Sequence, residues 1–326
     1  MNIRVFCLAI ILIIASLSAA GAEGYVYDED TTVVGTIGTY TVAHTNESLI
    51  ELARKFDLGY NEITGANPDL DPFVPGEGKS VLIPSSWILP DVKVYNGIVI
   101  NLSELRLYYF FKRDGKTYVQ PFPIGIGSEG TDTPLGSFTI MEKIVHPAWN
   151  VPASIRKEKP ELPPVVPPGP DNPMGSHALR LSLPSVLIHG TNRPFAIGRK
   201  ASHGCIRLYP EDIPQLFSMV PKGTPVSIVR QPVKIGVKEG KVYIEVHKDK
   251  TTNPEACFKI AIDLLVKRHL LGLVSSVKLF QALGNKTGFP VKISEDSAEG
   301  RPPAGVSGHK QPLRENLEYN DSFLLL

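Results

Sequence analysis

The chain has 326 residues, with 34 Lys and Arg against 33 Asp and Glu and a net charge of +1. That balance gives no electrostatic case for a nucleic-acid partner. The length leaves room for two or three domains, and 29 prolines point to long ordered loops and a polar tail rather than one body.

At the start, Arg4 precedes an apolar run from Val5 to Leu17, which gives way to Ala19-Ala20-Gly21-Ala22. A charged start, an apolar run of this length and a small-residue end predict a secretory signal peptide over residues 1–22, cleaved near Ala22. The run is short for a membrane span. Cys7 lies inside it without small residues just before it, which argues against a lipoprotein anchor. No second apolar stretch of membrane length follows. Cleavage leaves Cys205 and Cys257, which an exported chain is able to pair. Cys257 sits in an apolar helical pattern, where a free cysteine behaves as a small hydrophobe, so pairing is not expected.

Residues 23–37 read as a short extended lead-in, and Tyr40-Thr41-Val42 as a strand. Asn46-Glu47-Ser48 offers capping residues for a helix in which Leu49, Ile50, Ala53 and Phe56 recur at helical spacing. Leu58-Gly59 ends it, and a second helix spans Asn61 to Asn67. Pro75-Gly76 is a turn, and Val81-Leu82-Ile83 a closing strand. This strand–helix–helix–strand order over residues 38–85 resembles a LysM module, against the plainer reading of any small α/β unit. LysM modules bind N-acetylglucosamine-containing glycans, so the resemblance implies peptidoglycan or chitin as an anchor.

From Val94 the pattern changes to period two and to long apolar strands, and many short strands with Gly and Pro punctuation predict a mainly β sandwich or barrel. The strands are Ile98 to Leu102, Arg106 to Phe110, Tyr118 to Ile126, Phe138 to Ile140, Val186 to Ile188 and Val226 to Val229. One helix is expected from Pro210 to Met219, where Glu211-Asp212 suits the positive end of the helix dipole. Between the strands lies a Pro-rich segment from His146 to Met174. A stretch that long inside a domain is usually functional or disordered, and here it reads as a semi-rigid lid or wall over a cleft, with a surface insertion as the alternative.

The chemistry concentrates in two short runs, His189-Gly190-Thr191 and Ala201-Ser202-His203-Gly204-Cys205-Ile206-Arg207-Leu208. A thiol becomes a strong nucleophile as its thiolate, and an upstream histidine supplies the base. Gly204 permits a sharp turn that presents Cys205, with peptide N–H groups facing a developing oxyanion. Cys205 is therefore the expected nucleophile, and a disulfide there would consume it. His189 is the expected base, oriented by backbone at or near Gly190. Ser202 and Gly204 hold the loop. His203 is assigned to the site with two roles open, shaping it or contacting substrate. The remaining histidines show no ligand spacing, so neither metal nor cofactor is expected.

Both runs, with Gly125-Ile126-Gly127 and Thr133-Pro134-Leu135-Gly136-Ser137-Phe138, resemble the YkuD-type L,D-transpeptidase domain over residues 95–230. Asn172-Pro173-Met174-Gly175 and the Pro-rich segment resemble the ErfK/YbiS-like branch of envelope enzymes in Gram-negative bacteria. The resemblance implies a β-sandwich catalytic domain and a periplasmic location. It implies attack by Cys205 on the third residue of a peptidoglycan tetrapeptide stem, release of D-alanine, and transfer to an amine of another stem or of an outer-membrane lipoprotein. Water as acceptor would make the enzyme an L,D-carboxypeptidase. A non-catalytic wall-binding protein carried by the LysM unit is the further alternative. Thr191 and Arg207 fall to the substrate side, Arg207 either as a carboxylate clamp or as a buried ion-pair partner.

Beyond Gln231-Pro232, a hairpin turns at Lys238-Glu239-Gly240. Asn253-Pro254 starts a helix with Phe258, Ala261, Ile262, Leu265 and Val266 as its apolar face. A second helix, Ser276 to Leu283, ends at Gly284, and a strand returns at Pro290 to Ile293. Residues 231–293 thus read as a small α+β appendage, and 294–326 as a poorly ordered tail.

Overall fold

The computed structural model describes residues 24–128, 132–202 and 204–295. The expected signal peptide, most of the tail and His203 lie outside the described residues. The chain divides into a unit ending at Ser294 and a second beginning at Glu295. Among the described residues no helix is long and apolar enough to cross a membrane.

A nine-stranded sheet organises the first unit. Its order is Tyr25–Val26, Lys116–Pro123, Arg106–Arg113, Gly97–Asn101, Pro225–Val229, Gly136–Val145, His177–Leu181, Leu187–His189, Ile206–Arg207. Most pairings are antiparallel, but Pro225–Val229 runs parallel to Gly97–Asn101, and Leu187–His189 parallel to Ile206–Arg207. The sheet-rich expectation is met, though in hydrogen bonding the main sheet is one continuous sheet rather than two. Both of its ends serve one core. Leu107 and Phe122 from one end join Ile188 and Ile206 from the other, with Ile213 and Leu216 of the helix Asp212–Met219.

The opposite face of the first strands is also buried. Val99, Tyr108, Phe110 and Val119 point into a second core with Leu49, Leu52, Ile63 and Val81 of the N-terminal elements. The expected period-two alternation does not appear as one exposed face here, because Gly97–Asn101 and Arg106–Phe110 are buried on both faces, which suits continuous apolar runs. The N-terminal strand–helix–helix–strand order is present. Gly38–Thr41 pairs antiparallel with Ser80–Ile83 around the helices Leu49–Lys55 and Tyr60–Ala66. Ser48 caps the first helix by accepting from the Glu51 N–H, and Glu51 returns a bond to the Ser48 N–H. Arg106 lies fully buried at the junction of the two cores. Its guanidinium pairs with Glu62 at 2.6 Å and sits 4.1 Å from the Trp87 ring centre.

The C-terminal hairpin Val233–Lys238 and Lys241–Val246 turns through Glu239 and Gly240, both at positive φ (52° and 69°), as a two-residue primed turn requires. Val291–Lys292 returns as a third strand beside the helices Pro254–Lys267 and Ser276–Asn285. Two details of the sequence reading change. The first helix buries Cys257, Ala261 and Leu265, whereas Phe258 and Val266 are exposed. The helix is apolar over a wide arc, so periodicity did not select the side that docks. Phe258 stacks instead on exposed Phe280, ring centres 5.4 Å apart. The second helix runs through Gly284, and the left-handed cap is Lys286 at φ 48°. Cys205 and Cys257 are both free.

Glu104, Glu245 and His247 converge in the interior. The Lys234 ammonium lies against both carboxylates, 2.6 Å from Glu104 and 3.0 Å from Glu245, and donates to the Ile88 carbonyl. This buried charge group ties the hairpin to the main sheet and to the strand Ser86–Ile88.

Candidate active site

The strand Leu187–His189 places its residues by simple alternation. Ile188 and its parallel partner Ile206 are both fully buried in the core. Leu187 and His189 therefore point to the other face, and so does Arg207, which pairs with His189. Cys205 precedes Ile206 by one residue, so it sits beside Leu187 on that same face, diagonal to His189. Two residues sixteen apart in sequence are thus brought onto one face by a single parallel pairing.

His189 is buried, and its Nδ1 lies 2.7 Å from the Gly190 carbonyl oxygen. A carbonyl only accepts, so Nδ1 carries the proton and Nε2 keeps its lone pair. Burial pushes the imidazole down to about 4, the Arg207 charge pushes the same way, and the carbonyls of Gly190 and Met174 oppose both. Burial pushes the Cys205 thiol up, against a hydrogen bond from the Leu187 backbone and the charges of Arg207 and Arg180. The thiol reaches the Ser185 carbonyl at 3.7 Å. Both groups are therefore neutral at rest near pH 7. Burial also lowers Arg207 from its ordinary value, although the Cys205 sulfur favours its charge.

The loop that carries Cys205 is held from several sides. The buried Ser202 hydroxyl donates to the Cys205 carbonyl at 2.6 Å, and the Ser202 carbonyl accepts from the Ser128 N–H at 2.8 Å. Gly204 has φ +96°, the left-handed region that glycine tolerates. Thr133 reaches the Gly204 carbonyl at 3.1 Å. Arg207 is clamped through its backbone by Gly125, with N–H to carbonyl distances of 2.9 and 2.8 Å. Thr191 is buried, and its hydroxyl accepts from the Arg193 N–H at 2.9 Å.

The Pro-rich segment is ordered and ends against the histidine loop. Within it Trp149–Asn150 pairs with Val165–Val166 around the short helix Ala153–Glu158. Buried Asn172 fastens it by sharing its two amide protons among the carbonyls of Pro147, Val166 and Pro167 and accepting from the Met174 N–H. At Gly175, φ +68°, an added Cβ would lie 2.9 Å from the Gly190 Cα. The segment's end is therefore a wall behind His189. Sequence reasoning singled out Cys205, His189, Gly190, Ser202, Gly204, Thr191 and Arg207, and all lie on these two runs. It gave no role to Thr133, Ser128 or Asn172. Thr133 and Asn172 stood in the motifs that were noticed, but nothing in one dimension says where a hydroxyl or amide will point.

Residues 95–228 match the family profile described as YkuD, the L,D-transpeptidase catalytic domain. The chain is 38% identical over 309 residues to the probable L,D-transpeptidase YbiS of Escherichia coli K12, covering 90% of this chain and 99% of that one. It is 43% identical over 225 residues to the probable L,D-transpeptidase YcfS of the same organism, covering 66% of this chain and 69% of the relative. Among solved structures, it is similar to the catalytic domain of an E. faecium L,D-transpeptidase determined by NMR. That match has 25% identity and a TM-score of 0.33, covering 42% of this chain and 99% of that one.

Proposed function

Because this chain belongs to the L,D-transpeptidase family and is an L,D-transpeptidase enzyme, we propose that Cys205 and His189 carry its chemistry on peptidoglycan stems. The observation that carries this reading is the shared sheet face of the two side chains, with Nε2 of His189 left as the basic nitrogen. His189 Nε2 takes the thiol proton as the sulfur bonds to the carbonyl carbon of the third residue of a tetrapeptide stem. The C–N bond to the terminal D-alanine breaks, and the same proton leaves with its amine. The thioester is then attacked by an acceptor amine, which gives its proton to His189, and the peptide bond that forms returns the thiol. Peptide bond is exchanged for peptide bond, so no nucleotide is consumed. Arg207, on the same face, is suited to a carboxylate of the incoming stem.

In the same reading the N-terminal strand–helix–helix–strand unit is a LysM glycan binder, supported by its element order and capping. Residues 1–22 export the chain to the periplasm, supported by their composition alone. The acceptor is a second stem or a lipoprotein amine. Acyl-enzyme mass on incubation with a carbapenem or a stem tetrapeptide tests the assignment. The wild-type chain gains the adduct and Cys205→Ala gains none while keeping its thermal transition. An adduct retained in Cys205→Ala removes the nucleophile assignment.

A further inference from the structure

Thr133 lies outside the two runs that carry the chemistry, yet its hydroxyl stands between them and the neighbouring strand. It is buried, and its Oγ1 accepts from the Gly127 N–H at 3.2 Å. Gly127 ends the strand Ile126–Gly127, which pairs parallel with Lys200–Ser202, the strand that leads into the nucleophile loop. A threonine hydroxyl has one proton. With an N–H already donating to the oxygen, that proton is given to the Gly204 carbonyl, 3.1 Å away.

The consequence concerns the next atom along the chain. In a planar trans peptide the C=O and N–H point in opposite directions. Holding the Gly204 carbonyl toward Thr133 therefore turns the Cys205 N–H away from Thr133. Gly204, at φ +96°, carries no side chain to restrict the torsion that leads into this peptide plane, and the Thr133 bond restrains it. The Ser202 hydroxyl fixes the following peptide by donating to the Cys205 carbonyl at 2.6 Å. Two hydroxyls thus bracket the nucleophile, one on each of its peptide planes. The nucleophile's own N–H is tied to its sulfur by covalent geometry, and it is the donor best placed for an oxygen on the carbon that the sulfur attacks.

We infer that Thr133 is a positioning residue for the acyl-transfer step, orienting the Gly204–Cys205 peptide so that the Cys205 N–H faces the developing oxyanion. The inference rests on Cys205 being the nucleophile. Its contribution belongs to the transition state, because the oxyanion is absent from bound substrate.

The test follows the rate of acyl-enzyme formation by mass for the full chain with a carbapenem, over a range of reagent concentrations. Thr133→Val keeps the shape and removes the hydroxyl. Its limiting acylation rate should fall about tenfold to hundredfold, with the half-saturating concentration within about twofold of wild type. Thr133→Ser restores the hydroxyl and should stay within about threefold of wild type. The acid limb of the pH profile, which belongs to His189, should not move in either variant. Thr133→Val acylating within twofold of wild type overturns the inference. So does Thr133→Ser being as slow as Thr133→Val, since the methyl group would then be what matters. If Thr133→Val does not fold, Thr133→Ala replaces it under the same criteria. Failure of both to fold also overturns the inference, because Thr133 would then be a residue of the fold. A wild-type chain that forms no adduct at Cys205 refutes the nucleophile assignment instead, so the two failures are distinguishable.

Discussion

Burial acts in opposite directions on the two groups proposed to react, raising the Cys205 thiol and lowering the His189 imidazole to about 4. A preformed thiolate–imidazolium pair is therefore disfavoured at rest, and proton transfer accompanies attack. The base is ready over a wide range, because an imidazole at about 4 is unprotonated through neutral pH. Acylation by a carbapenem should accordingly be flat from about pH 5 to 8, with an acid limb near pH 4. An acid limb near pH 6.5 in a rate–pH series would contradict this environment for His189. The same shift bears on stability. The unfolded chain binds this proton below about pH 6.5, whereas the native chain binds it only below about 4. On the order of 3 kcal/mol is thus lost as pH falls through that window. Cys205, His189 and their glycines stand out in sequence as the proposed nucleophile, base and turn because those residue types have specific chemistry. Thr133 and Asn172 were not, because a hydroxyl or an amide acquires its role only from what it faces.

Between elements, the N-terminal unit meets the catalytic region backbone to backbone. Gly59, which precedes the helix Tyr60–Ala66, lies against Gly198, and the Tyr60 N–H donates to the Ile197 carbonyl at 3.1 Å. The Arg199 guanidinium covers the Tyr60 ring at 3.5 Å, one residue before the strand Lys200–Ser202. An added Cβ at Gly59 would fall 2.7 Å from the Gly198 Cα. Gly59 itself has φ −83° and ψ 156°, which alanine accepts, so Gly59→Ala probes the contact and not the backbone. It should destabilise the chain by about 1–3 kcal/mol in urea unfolding and slow acylation at Cys205. Gly284 is the control. It lies inside a helix with open space around its Cα, so Gly284→Ala should be neutral or stabilise by up to about 1 kcal/mol. The helices and hairpins were read from capping residues and turn residues, which act locally. The docked side of Pro254–Lys267 was misread, since a wide apolar arc leaves that choice to the neighbour.

Across the whole unit, acidic groups gather where the N-terminal helices meet Asp212–Met219. Arg54 forms a two-pronged pair with Glu211, and the Tyr209 hydroxyl donates to the Leu58 carbonyl. Beneath them the Asp57 and Asp212 side chains hydrogen-bond to each other. Burial raises both carboxyls, Glu211 adds to the rise at each, and Arg106 opposes it. A pair that binds its proton more tightly when folded stabilises the native state at low pH. That contribution is lost as pH rises through the raised values. Asp57 is at φ 56°, a conformation asparagine also adopts. Asp57→Asn should therefore raise the thermal midpoint at pH 8 and flatten its fall between pH 5 and 9, as differential scanning calorimetry would read. A variant with the wild-type slope would show that the pair does not hold the shared proton.

By itself the sequence determined the order of the elements and the family, and it singled out the residues proposed to react, because each is encoded by residue type at short range. Only the tertiary structure decided that Cys205 and His189 share a face, that Asn172 pins the Pro-rich wall behind the histidine, and that a glycine pair joins the N-terminal helix to the segment just before the strand Lys200–Ser202. Those facts depend on strand register and on contacts between residues far apart in the chain. Register is selected by the burial of whole faces, and no local pattern contains it.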